Sequence, residues 1–140
     1  MKRVVVTGLG LISPLGLGVE RSFSALIAGR SGISKIERVD VSDMASQIAG
    51  QVPRGSGEGE YDPLKVVSAK ELRRYDEFIV FALAAADEAV ADSGWKPQTE
   101  EERERTGILI GSGIGGLPSI AENAVKLDRE GPRRISSRAA

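Results

Sequence analysis

The chain has 140 residues, with 19 Lys and Arg against 20 Asp and Glu, a formal net charge of −1, and 41% hydrophobic residues. That hydrophobic content suits a folded domain and is too high for a disordered chain. The near-zero charge supplies no bulk attraction to nucleic acid, and no apolar run reaches the roughly 20 residues of a membrane span. There is no Cys and no His; this excludes disulfide and thiol chemistry and removes the commonest general base and metal ligand, so no metal or cofactor is expected.

Lys2 and Arg3 precede an apolar segment, a little like a signal peptide. Thr7, Gly8 and Gly10 interrupt it, and no clean small-residue cleavage site follows; the expected location is the cytoplasm. Val4, Val5 and Val6 are β-branched and too short a run for a helix, which predicts a buried strand. Residues 19–28 place Val19, Phe23, Leu26 and Ile27 at helical spacing, with Gly29 and Gly32 as the stop. Residues 47–52 read as a short strand anchored by Ile48 and Val52, and residues 53–63 as a solvated Gly- and Pro-rich loop. Ser68 followed by Glu71 forms a capping box that predicts a short helix.

Residues 76–93 carry the clearest pattern. Phe78, Ile79, Ala82, Leu83, Ala86, Ala89 and Val90 recur at three and four, Phe81 and Ala85 widen the stripe, and Gly94 caps the end. A helix so apolar is expected to pack on more than one side. The charged run at 97–106 reads as an exposed linker or solvated helical turn. Residues 106–110 predict a second buried strand. Residues 111–116 form a second glycine-rich turn, and residues 119–129 a helix with Ile120, Ala124 and Leu127 facing inward, broken by Gly131 and Pro132. The order β–α–β–loop–α–β–α argues for a layered α/β fold, and no internal repeat is present.

The two glycine turns differ. A dinucleotide fingerprint needs G-x-G-x-x-G between strand and helix. Gly8 and Gly10 fit, but the third position is Ser13, and Pro14 holds Ser13 extended. No helix can then present free amides to a phosphate beside Gly10. Asp40 lies near the spacing of a ribose-binding acid but ends no convincing strand. A tight structural turn near a packed interior is the preferred reading. The second turn, Gly111, Gly113, Gly115 and Gly116 around Ile114, is followed by Leu117 and Pro118 instead of the Lys or hydroxyl of a phosphate cradle. Two readings stay open for it: a plain strand-to-helix turn with Ile114 in the core, or a close approach of backbone to a ligand or second chain with Ile114 in an apolar cavity.

Five stretches, "VVVTGLGLISPLG" from Val4, "RSGIS" from Arg30, "KELRRYDEF" from Lys70, "GILIGSGIGG" from Gly107 and "GPRRIS" from Gly131, occur in an order and spacing that resembles the N-terminal part of β-ketoacyl-acyl-carrier-protein synthases. The similarity is greatest to the type II condensing enzymes of fatty-acid elongation, within the thiolase-like superfamily, and runs from residue 3 to residue 136. It implies a thiolase-like α-β-α-β-α layered fold of two similar halves, with a mixed sheet flanked by helices. Residues 1–140 would form the N-terminal portion of the synthase's N-terminal domain, truncated before the catalytic cysteine. It also implies a homodimer that performs a decarboxylative Claisen condensation. The acyl group passes from acyl carrier protein to an enzyme cysteine; malonyl-carrier protein loses carbon dioxide to give the attacking carbanion. The family uses one Cys and two His for this, all beyond the matching region, so the chain alone is expected to be inactive. After Ser136 the ending departs from the family's aromatic and apolar continuation.

The same resemblance assigns residue roles. Ile114 matches a position that lines the acyl pocket near the dimer interface and moves to admit longer chains; the bland alternative is a static core isoleucine. Lys70, Arg73 and Arg74, on one helical face by their spacing, match a basic cluster that docks the acidic carrier protein. Arg133 and Arg134 match a second part of that surface; the alternative is ordinary solubilising charge. Two other functions stay in view: a non-catalytic carrier-protein-binding module, and a nucleotide-binding α/β domain. Neither nucleic acid nor membrane is an expected partner. Because the 76–93 helix is so apolar, a chain of this length is expected to expose an apolar patch and to associate.

Overall fold

In the computed structural model, residues 3–135 are described. The first regular structure lies inside the glycine turn itself. β1 (Ile12–Ser13) pairs antiparallel with β2 (Gly16–Leu17), in the register Ile12 to Leu17 and Ser13 to Gly16. Pro14 and Leu15 make the turn, where Ser13 Oγ accepts the Leu15 amide at 3.1 Å, a hydroxyl substituting for a backbone turn acceptor. Gly16 is forced to be glycine by φ 134° and by the Arg21 side chain lying against its Cα.

α1 (Val19–Ile27) follows. Its inward face is polar: buried Ser22 meets Ser13 Oγ at 2.8 Å and donates to the Gly16 carbonyl at 3.1 Å. Phe23, Leu26 and Ile27 are exposed, so the predicted apolar stripe exists but nothing among the described residues covers it. β3 (Ile33–Lys35) and β4 (Ile48–Gly50) form a second antiparallel pair, which places the predicted 47–52 strand within its bounds. The loop at 53–63 closes on itself through Tyr61, whose amide donates to the Pro53 carbonyl at 2.8 Å. It leads into a 3-10 turn, Pro63–Lys65, capped by Asp62.

α2 (Ala69–Leu72) begins with the expected capping box: Ser68 Oγ accepts the Glu71 amide, and the Glu71 carboxylate accepts the Ser68 amide at 2.9 Å. α3 (Glu77–Ser93) ends where Gly94 adopts the left-handed conformation, φ 64°, the geometry for which a terminal glycine is favoured. α4 (Glu100–Glu104) turns the charged linker into a capped helix of its own, with Thr99 and Glu102 reciprocating. α5 (Leu117–Glu130) and a 3-10 turn, Pro132–Arg134, complete the described chain. Ser136 and the four residues after it lie outside the described residues.

The core is small and centred on α3. Val80 is 0% and Tyr61 1% exposed; with Val67 they form the buried cluster, against which Ile12, Val52, Val66, Leu72, Phe81 and Leu83 pack. Tyr61 meets Phe81 edge-to-face at 4.9 Å, a favoured aromatic geometry, and Arg54 lies 5.7 Å over the Tyr61 ring. Burial, with the Asp62 charge beside it, raises the Tyr61 hydroxyl pKa. Arg54 and Arg38 both ion-pair with Glu77 at the start of α3.

Two expectations are corrected here, the 4–6 and 106–110 strands and the inward face of α5. Residues 4–6 and 106–110 carry no regular structure and belong to neither sheet, and they are exposed: Val4 is 96% and Leu109 99% open. A strand is stable only when a neighbour takes its amides and carbonyls, and the described residues supply none to either run. Ile120, Ala124 and Leu127 of α5 do not face a core; all three are exposed. Both sheets among the described residues are two-stranded and antiparallel.

Candidate functional site

The first glycine turn lies on α3. A Cβ on Gly10 would strike the Ala85 carbonyl oxygen and come within 2.8 Å of the Ala89 nitrogen; one on Gly8 would strike the Ala89 carbonyl and come within 2.6 Å of the Ser93 nitrogen. Both neighbours are helix backbone, so only glycine permits the contact. The same helix face binds the turn's free amides. Glu88 accepts the Leu11 amide and the Val19 amide, each at 2.8 Å, and Asp92 accepts the Leu9 amide at 2.9 Å. The Val19 amide is the first of α1, so a carboxylate also complements that helix's positive end. The amides a phosphate would need are thus already spent on side chains of this chain, which supports the structural reading of the first turn. Glu88 and Asp92 are spaced four apart on one helix face, a signal that the sequence contains and that the apolar stripe masks. Asp40 sits in an exposed loop, where its carboxylate accepts the Ser42 amide at 3.0 Å; the Ser42 side chain, and after it that amide, lower its pKa.

The second glycine turn is built differently. Gly111 and Gly113 face open space, so that a Cβ added to either would meet nothing within 4 Å, and Ile114 between Gly113 and Gly115 is 75% exposed. The end of the turn is fixed. Gly115 takes φ 81° and packs on the Phe78 ring, its Cβ direction 3.3 Å from Cζ. Gly116 lies against the Asp76 carboxylate, and the same carboxylate accepts a hydrogen bond from Ser119 Oγ in the first turn of α5. The residues that hold the turn, Asp76 and Phe78, come from the start of α3. Of the clefts formed near Pro14 and Arg21, none is lined by Ile114.

The five basic residues are all exposed. Lys70 lies in α2, Arg73 is its C-terminal cap and Arg74 follows it, while Arg133 and Arg134 lie in the final 3-10 turn. No ion pair among the described residues involves any of them. The charges of Arg74 and Lys70 do reach Glu71, adding to the Ser68 hydrogen bonds that chiefly lower its pKa. No hydrogen bond or ion pair joins the α2 cluster to the Arg133–Arg134 pair among the described residues.

Among the described residues, then, one glycine turn is pinned on α3, a second presents one apolar side chain, and five exposed basic residues form no ion pair. The model of the β-ketoacyl synthase N-terminal domain matches residues 1–140, and the chain belongs to that family. It is 47% identical over 137 residues to the 3-oxoacyl-[acyl-carrier-protein] synthase 2 of Rhizobium meliloti (strain 1021), covering 97% of this chain and 32% of that protein. It is 44% identical to the synthase 2 of Coxiella burnetii over 96% of this chain and 31% of that one. The solved structure of the ishigamide ketosynthase/chain length factor superposes with a TM-score of 0.70 at 29% identity, over 96% of this chain and 32% of that chain. The chain therefore spans about a third of the length of the relatives it matches.

Proposed function

We propose that this chain serves as the N-terminal part of a 3-oxoacyl-acyl-carrier-protein synthase of fatty-acid elongation. In that enzyme an acyl group and malonyl-acyl carrier protein undergo decarboxylative Claisen condensation. The observation that carries the reading is the identity of 47% over 97% of the chain to a curated synthase of that activity. With no Cys or His in these residues, the thiolate and imidazoles of the chemistry would come from polypeptide outside them. The role left to residues 1–140 is to build the scaffold, shape the acyl pocket and dock the carrier.

Ile114 is the proposed acyl gate. Open space at Gly111 and Gly113 leaves room for a ligand or neighbouring segment, and a side chain between glycines changes rotamer without dragging crowded backbone. Lys70, Arg73, Arg74, Arg133 and Arg134 are the proposed docking residues for acidic acyl carrier protein, free of competing ion pairs among the described residues. Residues 1–140 would take their place in an α-β-α-β-α layered body with a mixed sheet, acting as a homodimer in the cytoplasm. No described helix is long and apolar enough to cross a membrane.

The test is a graft in which residues 1–140 replace the matching third of the Rhizobium meliloti synthase, assayed for 3-oxoacyl product. The graft condenses if the reading holds; a folded, inactive graft overturns it. Lys70→Glu with Arg74→Glu should raise its KM for carrier substrates and flatten the salt dependence of that KM. An unchanged KM would remove the docking assignment.

A further inference from the structure

We infer that Asp76 is a latch that sets how freely the Ile114 turn moves, and so tunes the acyl-chain length the site accepts. The inference rests on the gate role proposed for Ile114 and adds to it a positioning residue that never touches the acyl chain.

The geometry is specific. Asp76 occupies the N-cap position of α3, yet its side chain makes no capping bond to α3. Helix α3 starts on the Asp76 backbone instead, whose carbonyl accepts the Ile79 amide at 3.0 Å. The carboxylate is directed across to the other helix, onto Ser119 Oγ with one oxygen and against Gly116 with the other. It stands at the positive end of α5, a 14-residue helix whose first amides have no intrahelical partner. Ser119 is itself steadied, its carbonyl accepting from Asn123 Nδ2 at 2.8 Å. One side chain thus ties the end of the glycine turn to α3, two residues from Ile114, while a Cβ added at Gly111 or Gly113 would meet nothing within 4 Å among the described residues. The tied end rests on two α3 side chains, Phe78 and Asp76, and the Asp76 carboxylate supplies the hydrogen bond whose loss defines a point of release. Phe78 limits the turn's travel, since Gly115 rests on that ring.

Hydrogen exchange and chain-length kinetics test this together. In the 140-residue chain, Asp76→Ala and Ser119→Ala should each speed amide exchange at 115–120 by about tenfold, the factor carried by one lost hydrogen bond to a charged group. Exchange at 80–93 should hold, because α3 does not use that side chain. Asp76→Asn, which keeps an acceptor for Ser119, should restore most of the protection. Fast exchange of these amides in the unsubstituted chain, or an unchanged rate in both variants, would overturn the latch. In the Rhizobium meliloti graft, Asp76→Ala should raise kcat/KM for long over short acyl chains, through a lower KM for the long ones, with short-chain kcat retained. Ile114→Ala separates the two ideas. If it leaves the chain-length profile unchanged, the gate itself is wrong. If it shifts the profile and Asp76→Ala does not, the gate stands and the latch fails.

Discussion

Gly10→Ala probes the packing on which the whole N-terminal region depends. Its new methyl would meet the Ala85 carbonyl and lie 2.8 Å from the Ala89 nitrogen, where ordinary contact begins at 3.4 Å. The turn must retreat by at least 0.6 Å, the difference of those two distances, from atoms that are helix backbone and cannot rotate away. Overpacking of this kind costs about 1–3 kcal/mol. The retreat also stretches the 2.8 Å Leu11–Glu88 and 2.9 Å Leu9–Asp92 bonds, and a hydrogen bond to a charged group is worth about 1.5–3 kcal/mol. A combined loss of about 3 kcal/mol is expected. Gly113→Ala is the control: nothing lies within 4 Å and φ is not positive there, so its effect should stay within about 0.5 kcal/mol. Urea unfolding followed by far-ultraviolet circular dichroism measures both. Equal midpoints for the two variants would refute the claim that Gly10 is glycine because α3 lies against it.

Glu88→Ala removes two backbone bonds at once and should cost about 3 kcal/mol of unfolding free energy, while Glu88→Gln, which keeps one acceptor, should cost about half as much; equal stability of both with the parent would contradict the clamp. The capping carboxylates make the short helices acid-sensitive. Glu71 and Glu102 have lowered pKa values because Ser68, and Thr99 with Gln98, hydrogen-bond the charged form. Their contribution is present above a glutamate's ordinary 4.5 and fades as pH falls through the lowered folded value. Amide exchange in α2 and α4 should therefore accelerate, beyond its intrinsic pH dependence, as pH falls below 4.5, and Glu102→Gln should abolish that acceleration in α4. The exposed side chains of Val4, Val5, Val6, Ile108, Leu109 and Ile110 should drive the 140-residue chain to associate, so sedimentation should show species larger than a monomer; a single monomer up to high concentration would contradict this.

The helices are legible in the sequence because their signals are local. Ser68 and Glu71 stand three apart, Gly94 follows the last apolar repeat, and α3 begins within one residue of its expected start. The strands are not, because a strand is decided by a partner elsewhere. Val4, Val5 and Val6 have every intrinsic preference for a sheet, yet nothing among the described residues pairs with them. The hairpin at Ile12–Ser13 and Gly16–Leu17 leaves no mark on the pattern because two-residue strands carry no periodicity. At the candidate site, the basic side chains and the glycines around Ile114 can be read directly along the sequence. The contacts that hold the site do not: Glu88 reaches Leu11 across 77 residues and Asp76 reaches Ser119 across 43. No windowed pattern joins positions so far apart.

The central claim is that these residues work as part of a carrier-dependent condensing enzyme, and product formation by the Rhizobium meliloti graft tests it most directly. Incubated with acyl- and malonyl-acyl carrier protein, the graft should release carbon dioxide and yield a carrier-bound 3-oxoacyl chain two carbons longer, detectable by mass spectrometry. A graft that folds like its parent yet forms no such product would contradict the account.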